Sequence, residues 1–322
     1  MKTLLISNKY TGISKSLIEM AVGRSLKTIF LEENSRECLL KEIENADYLL
    51  ASGRLEIDGE VLDRATKLKM IQRTGTGVDS LDLEAIKKRG IHLYVNSGLN
   101  SESVAEHTLL LMLGCLRRIT EIDHNTRTGM WDKQNQGIKT RELYGKTVGL
   151  IGFGNIGKKV ANMLIPFRTK TLYFSRKRSD AETEERYNVT FSDLDSLLKN
   201  SDIISIHCPL TDTTNGLIDE YAFDLMKDGV IIINTSRGAI ISQDSLINAL
   251  RQNKISYAGI DVYEKEPIVA DNPIMEFGNV IMSPHIAGIT KESFERMITD
   301  AIRNIKYFDE GEYEKICDYR II

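Results

Sequence analysis

The sequence predicts an α/β protein made of two doubly wound parallel-sheet domains with a cleft between them. Three observations lead there. The chain has 322 residues, more than the roughly 250–300 at which a single hydrophobic core stops growing. Short β-branched runs alternate with helical patterns in two separate series. A helical stretch that is apolar nearly all round divides the two series.

The first series places strands near residues 3–6, 28–31, 48–51 and 69–72. Residues 104–116, within SESVAEHTLLLMLGCLRRI, form the dividing helix, whose pattern calls for burial on both sides. The first boundary falls near Asn100. The second series begins after Lys146 with TVGLIGFG and continues through TLYFS, DIISIHCPL, GVIIINTSRG, YAGIDVY and NVIMSPH. Such uniformly apolar runs belong to a parallel sheet covered on both faces. After His285 the strands stop, and KESFERMITDAIRNIKYF spaces its apolar residues as a helix of about four turns. This helix is expected to return to the first domain. That domain then comprises residues 1–99 plus 289–322, with residues 100–288 inserted as the second.

Composition removes several classes of function. An apolar fraction of 42% and a charged fraction of 27% are those of a globular chain. The net charge of −4 argues against a nucleic-acid partner, and Arg176, Lys177 and Arg178 are too short a basic run to grip a duplex. Cys38, Cys115, Cys208 and Cys317 lie far apart, with no zinc or disulfide spacing, so no metal site is expected and a reducing cytoplasm fits. No run approaches transmembrane length, and the amino terminus lacks the small-residue cleavage site of a secretory leader. No membrane partner is expected.

Gly152-Phe153-Gly154-Asn155-Ile156-Gly157 follows the strand TVGLI and opens the helical pattern NIGKKVANML. The first glycine permits a tight turn, the second lets backbone approach a pyrophosphate, and the third lets helix and strand pack closely. Amides at the helix start then face the phosphates. This is a dinucleotide-binding Rossmann fingerprint. The next strand ends Ser175-Arg176-Lys177-Arg178, with no carboxylate before Asp180. A carboxylate there would bind ribose hydroxyls, whereas Ser175 can donate a hydrogen bond and Arg176 can grip a 2′-phosphate, with Lys177 beside it. NADP(H) is preferred on this basis. The alternative is NAD(H), with the basic side chains merely solvated.

The fingerprint lies near mid-chain, so another domain precedes it. Taken in order with GTGVDSLD, NSESVAEHT, HCPLT, NTSRG, DVYEKEP and SPHIAG, it closely resembles the D-isomer-specific 2-hydroxyacid dehydrogenase family. The likeness runs from about Lys69 to Gly288. It implies a flavodoxin-like substrate domain, a Rossmann cofactor domain and hydride transfer between a nicotinamide and a small 2-keto or 2-hydroxy acid. The glyoxylate and hydroxypyruvate reductases are the branch favoured by a basic cofactor loop. A homodimer joined through the cofactor domain is implied as well.

Such a reaction needs a proton donor, a polarising group and an anchor for the substrate carboxylate. His285 follows Ser283-Pro284 at a strand end and precedes the small turn Ala287-Gly288, where a cleft can reach it. The resemblance makes His285 the acid/base and pairs it with Glu266, a carboxylate that would stabilise the imidazolium. Arg237 ends an apolar strand, where its planar fork can hold a carboxylate and polarise a keto oxygen; a strand-end ion pair is the plainer reading. Thr76 and Gly77 resemble the turn whose amides bind the substrate carboxylate, although a simple strand-to-helix turn would look the same.

By position in the motifs, Val104 is expected against the nicotinamide, Pro209 and Thr214 along the cofactor cleft, and Asp261 near the nicotinamide ribose or carboxamide. Cys208, Thr235, Ser236, His285 and Gly288 complete the expected cofactor set. Among the other histidines, His92 and His107 read as core residues, His124 as exposed and His207 as a satisfied strand-end residue. Met130 and Trp131 fit an interface or a core, and Arg54 fits either an exposed loop or the substrate's far end.

Three other readings compete with this one. A nucleotide-sensing corepressor shares the fold, but this chain lacks extended basic or Pro-rich tails. Formate oxidation is disfavoured because those relatives carry Gln where Glu266 stands. Phosphoglycerate oxidation stays open, in a short form without the regulatory domain of the longer enzymes.

Overall fold

Parallel strands need both faces covered, and the apolar runs supply residues for both. The computed structural model describes residues 1–51 and 55–322; Arg54 lies outside the described residues. The chain divides into two compact units, Met1–Asn100 with Lys291–Ile322, and Ser101–Thr290. Thr290 falls in the second unit, where its hydroxyl meets that of Ser103 at 3.3 Å.

In the first unit, β1 (Thr3–Ile6), β2 (Lys27–Phe30), β3 (Tyr48–Ala51), β4 (Met70–Arg73) and β5 (His92–Tyr94) form a parallel sheet in the order β2-β1-β3-β4-β5. This is the flavodoxin-like order. Period-two alternation sorts the side chains into two cores. Leu5, Leu49, Ile71 and Leu93 face one; Leu4, Ile6, Tyr48, Leu50, Met70 and Tyr94 face the other. The second core is closed by the Gly12–Val22 helix and by Ile298, Ala301, Ile302, Ile305 and Phe308 of the Lys291–Glu310 helix.

Small departures from the expected elements have local causes. Strand β2 begins one residue early and β4 ends one residue late, because pairing Thr3 with Lys27 and Ala51 with Arg73 sets their ends. The last helix runs 20 residues rather than about four turns. Its final turn is held by Asp309, which accepts from the Tyr48 hydroxyl at 2.5 Å and pairs with Lys2. Beyond it an unexpected 3₁₀ segment, Tyr313–Tyr319, brings Arg320 into an antiparallel bridge with Tyr94.

The second unit holds β6 (Thr147–Ile151), β7 (Lys170–Phe174), β8 (Val189–Phe191), β9 (Ile203–Ile206), β10 (Val230–Asn234), β11 (Ile255–Ile260) and β12 (Val280–Met282). All are parallel, in the order β12-β11-β10-β9-β6-β7-β8. From β6 the chain winds outward through β7 and β8, then returns to the other side of β6 as β9. Such a reversal opens a crevice at the carboxyl ends of the strands.

The Ser101–Arg117 helix packs on β10, β11 and β12. Val104, Ala105, Leu111, Met112 and Cys115 are buried, but Leu110 is 61% exposed, so within this unit the helix is not covered all round as expected. Two polar helices missed in the sequence follow, Ile119–Arg127 and Lys133–Gly137, neither with a buried residue. Met130 and Trp131 lie between them, and Trp131 is 82% exposed, which removes the core-packing reading. Among the described residues no helix is long and apolar enough to cross a membrane.

Candidate active site

The carboxyl edge of the second sheet collects most of the expected site residues. Strand β6 runs into Gly152, whose φ of 105° lies in a region that side chains avoid. A Cβ there would sit 2.5 Å from the His207–Cys208 peptide, and one on Gly157 would strike the Gly152 carbonyl. Gly154 instead faces open space, with no atom within 4 Å of its missing Cβ. It caps the Asn155–Leu164 helix without any side chain across the helix start. Asn155, Ile156 and Gly157 form that helix's first turn, an amide-rich end suited to an anion. The cradle therefore fits a dinucleotide pyrophosphate.

The neighbouring strand ends are laced to this cradle. The Ser236 hydroxyl donates to the Cys208 carbonyl at 2.5 Å, and the Thr214 hydroxyl donates to the Pro209 carbonyl at 2.7 Å. Thr235 meets Thr108 at 2.9 Å, and Thr108 donates to the carbonyl of buried Val104 at 2.8 Å. These hydroxyls shape the edge through such bonds. His207 is only half satisfied: Nε2 meets Ser205 at 2.9 Å, while buried Nδ1 has no hydrogen-bond partner. Burial lowers its pKa to about 3, so it stays neutral.

At the end of β7 the three basic residues separate. Arg178 is held by Glu184 through two contacts of 2.9 and 2.8 Å, and Asp180 caps the Ala181–Tyr187 helix through the Thr183 amide. Arg176 and Lys177 are exposed. The Ser175 hydroxyl donates to the Lys177 carbonyl at 2.5 Å, folding the turn that presents them.

Arg237 sits just past β10. Asn234, buried at the strand end, donates to the Arg237 carbonyl at 2.9 Å and accepts from the Ser236 amide at 3.0 Å. The guanidinium donates from Nη1 to the Ser236 carbonyl at 2.8 Å. Gly238 follows, and a Cβ there would collide with the Tyr263–Glu264 peptide. That close approach brings the Arg237 turn against the loop that carries Glu266.

Glu266 bridges two donors. Its Oε1 accepts from the Tyr263 amide at 2.9 Å, and its Oε2 lies 2.7 Å from His285 Nδ1. The carboxylate is 14% exposed and the imidazole 34%. His285 has a left-handed backbone, φ 58°, which costs a non-glycine residue about 1–2 kcal/mol. Asp261 holds it there. Fully buried, Asp261 accepts from the Ile286 and Ala287 amides, each at 2.9 Å, from the Ser283 hydroxyl at 2.5 Å, and through its carbonyl from the His285 amide at 2.8 Å. A buried carboxylate persists only when so paired. Its neighbours here are the loop around His285. Ser283 in turn meets His107 Nε2 at 2.9 Å. Gly288 ends the same loop.

Asn234, Ser283 and His107 were not expected at the site. The signal available was a polar side chain ending or facing an otherwise apolar element. Thr76 and Gly77 lie in the first unit, in the turn after β4. The Gly77 carbonyl accepts from Arg73 Nε at 2.9 Å, and the Thr76 hydroxyl donates to the Asn96 carbonyl at 3.3 Å. His92 packs against Phe308, centroids 5.2 Å apart, and His124 is exposed.

A nucleotide cradle, a carboxylate-braced imidazole and a guanidinium on one sheet edge define a nicotinamide-dependent oxidoreductase. Residues 109–287 match the sequence profile of the D-isomer specific 2-hydroxyacid dehydrogenase, NAD binding domain. The chain belongs to this family and acts on a CH–OH group. It is 43% identical over 281 residues to a glyoxylate reductase from Thermofilum pendens, covering 86% of this chain and 83% of that protein. It is 38% identical over 282 residues to a D-3-phosphoglycerate dehydrogenase from Archaeoglobus fulgidus, covering 87% of this chain but 53% of that one. Among solved structures, a D-lactate dehydrogenase from Aquifex aeolicus complexed with NAD and lactic acid superposes with a TM-score of 0.90 at 30% identity, covering 99% of each chain.

Proposed function

We propose that this enzyme reduces a small 2-keto acid of the glyoxylate or hydroxypyruvate kind, with NADPH as the preferred donor. The observation that carries the reading is the 2.7 Å contact between His285 Nδ1 and Glu266 Oε2, on the edge that also bears Arg237. The nicotinamide, when bound, supplies the hydride that reaches the carbonyl carbon. Glu266 orients His285 by accepting the hydrogen bond from Nδ1–H, so that the doubly protonated ring gives its Nε2 proton to the carbonyl oxygen and is left neutral with Nδ1–H still held. Arg237 polarises that oxygen and grips the carboxylate. The assignment of Thr76 and Gly77 to binding a substrate carboxylate rests on their motif alone. Asp261 maintains the His285 loop, and Gly152, Gly154 and Gly157 admit the pyrophosphate.

The preference for NADPH rests on Arg176 and Lys177, since β7 ends without a carboxylate and Arg178 is already paired. The test is a panel of 2-keto acids assayed with both reduced cofactors. Glyoxylate and hydroxypyruvate are expected to turn over faster with NADPH. Arg176→Ala should raise the KM for NADPH roughly tenfold, the loss of one charge-assisted contact, while that for NADH barely moves. Equal effects on the two cofactors would remove the 2′-phosphate assignment, and turnover confined to 3-phosphohydroxypyruvate would replace the substrate assignment.

We also infer a homodimer in a reducing cytoplasm. Leu110, Ile119, Met130, Trp131 and Ile138 are all exposed in one stretch of the second unit, and a second copy is the partner that would cover them. Trp131→Asp should shift the sedimenting species toward the monomer at micromolar concentration. An unchanged mass would show that this stretch is not the contact.

A further inference from the structure

The second unit contains a cavity of about 230 Å³ at the end of the sheet opposite the reaction edge. It touches Ile231, Ser256 and Tyr257, at the beginnings of β10 and β11, whereas Arg237 and Glu266 follow the ends of those strands. Arg118, Lys139 and Arg141 line it, and no carboxylate does. In a chain of net charge −4, three cations around one hollow are a local reversal of sign.

The cations are placed by different means. Arg118 has a left-handed backbone, φ 52°. Its Nε lies 3.0 Å from the Tyr257 hydroxyl and its Nη2 lies 2.6 Å from Glu121. Glu121 therefore offsets one charge of the three. Arg141 donates from Nη1 to the Gly229 carbonyl at 3.1 Å, a neutral partner that fixes the guanidinium without discharging it. Among the described residues, neither Arg141 nor Lys139 is paired with an acid. The hydroxyl hydrogens are directed elsewhere, Ser256 to the Gly229 carbonyl at 2.7 Å and Tyr257 to Glu121 at 3.0 Å. Burial pushes the Cys115 thiol in the cavity wall up to about 12, so it adds no negative charge of its own. The donors left for a ligand are cationic.

We propose that this cavity is a second ligand site, which binds a small dianion of the phosphomonoester or dicarboxylate class. A planar guanidinium forks onto two oxygens of such a group, and an ammonium adds a point charge beside it. The volume lies below the roughly 300–1,000 Å³ of pockets for drug-sized ligands, which favours a metabolite of a few carbons over a nucleotide.

The test uses the enzyme saturated with the reduced nicotinamide it binds more tightly, so that its pyrophosphate cradle is filled whichever cofactor that is. Inorganic phosphate and succinate are titrated in separate arms at constant ionic strength, by calorimetry, into wild type and a Lys139→Ala/Arg141→Ala variant. Arg118 is left in place because of its bonds to Tyr257 and Glu121. Saturable binding of at least one probe, one per chain, is expected, weakened at least tenfold in the variant with cofactor affinity and unfolding midpoint unchanged. The arm that binds identifies the phosphate or the dicarboxylate as the ligand chemistry. Absence of saturable binding in both arms, or equal binding by the two proteins, would overturn the proposal. So would a variant that changes oligomeric state while wild type binds neither probe, since the cations would then serve a contact between copies.

Discussion

His285→Gln is expected to lower keto-acid reduction by roughly 10²- to 10⁴-fold, the usual contribution of a positioned acid/base, while dinucleotide binding is retained. Gln can keep a hydrogen bond to Glu266, which now meets His285 at 2.7 Å, but it cannot carry the proton to the substrate. Backbone strain does not confound the comparison. The wild-type residue already bears the left-handed φ of 58° without the exemption glycine enjoys, and Gln inherits a similar cost. The loop is fastened through the buried Asp261 carboxylate and the amides of Ile286 and Ala287, none of which the substitution removes. Stopped-flow oxidation of the reduced cofactor, with binding followed separately, reads the two effects apart. Turnover like that of wild type would remove His285 from the proton-donating position.

Arg237→Lys is the second large effect, despite conserving charge. The guanidinium donates from Nη1 to the Ser236 carbonyl and holds all its donors in one fixed plane. Lys has three donors on a single nitrogen, so it cannot hold that carbonyl and fork onto substrate oxygens together. We expect kcat/KM for the keto acid to fall by about 10²-fold or more, equivalent to about 2.7 kcal/mol, with the KM for the cofactor little changed. The Asn234 amide holds the turn through backbone atoms, so the variant should fold. A kcat/KM within twofold of wild type would show that Arg237 supplies charge alone, or serves only as the strand-end residue that its position also fits.

Most of both sheets was legible in the sequence because parallel strands, buried on both faces, are written as mainly apolar runs such as VIII in β10 and IISI in β9, whereas β5 and β8, three residues each, are too short to stand out and were not expected. The glycine fingerprint was legible for a different reason: each glycine answers a steric demand, and Gly152 and Gly157 meet atoms that leave no room for a Cβ. The bracing of the site was not legible. Ser283 meets His107 across 176 positions and Asp261 across 22, and no local pattern announces a bond of that span. Asp261 illustrates the difficulty. Its position in the motif pointed to a nicotinamide contact, but only the fold reveals four donors converging on it. The Ile119–Arg127 and Lys133–Gly137 helices escaped notice because they bury nothing, so no apolar stripe marks them. The same absence of a stripe left Trp131 ambiguous until its exposure was seen.

The order in which the chain is synthesised matters for the first unit. Its sheet is complete once Tyr94 has been made, but the helix that closes one face begins only at Lys291. The 190 residues of Ser101–Thr290 must be translated in between. At roughly 5–20 residues per second this leaves Leu4, Ile6, Leu50 and Met70 without that cover for about 10–40 s on the ribosome. The second unit is one contiguous segment and can close before that helix exists. The inserted unit is thus the earlier to mature, and the Met1–Asn100 segment waits with one apolar sheet face still lacking its closing helix.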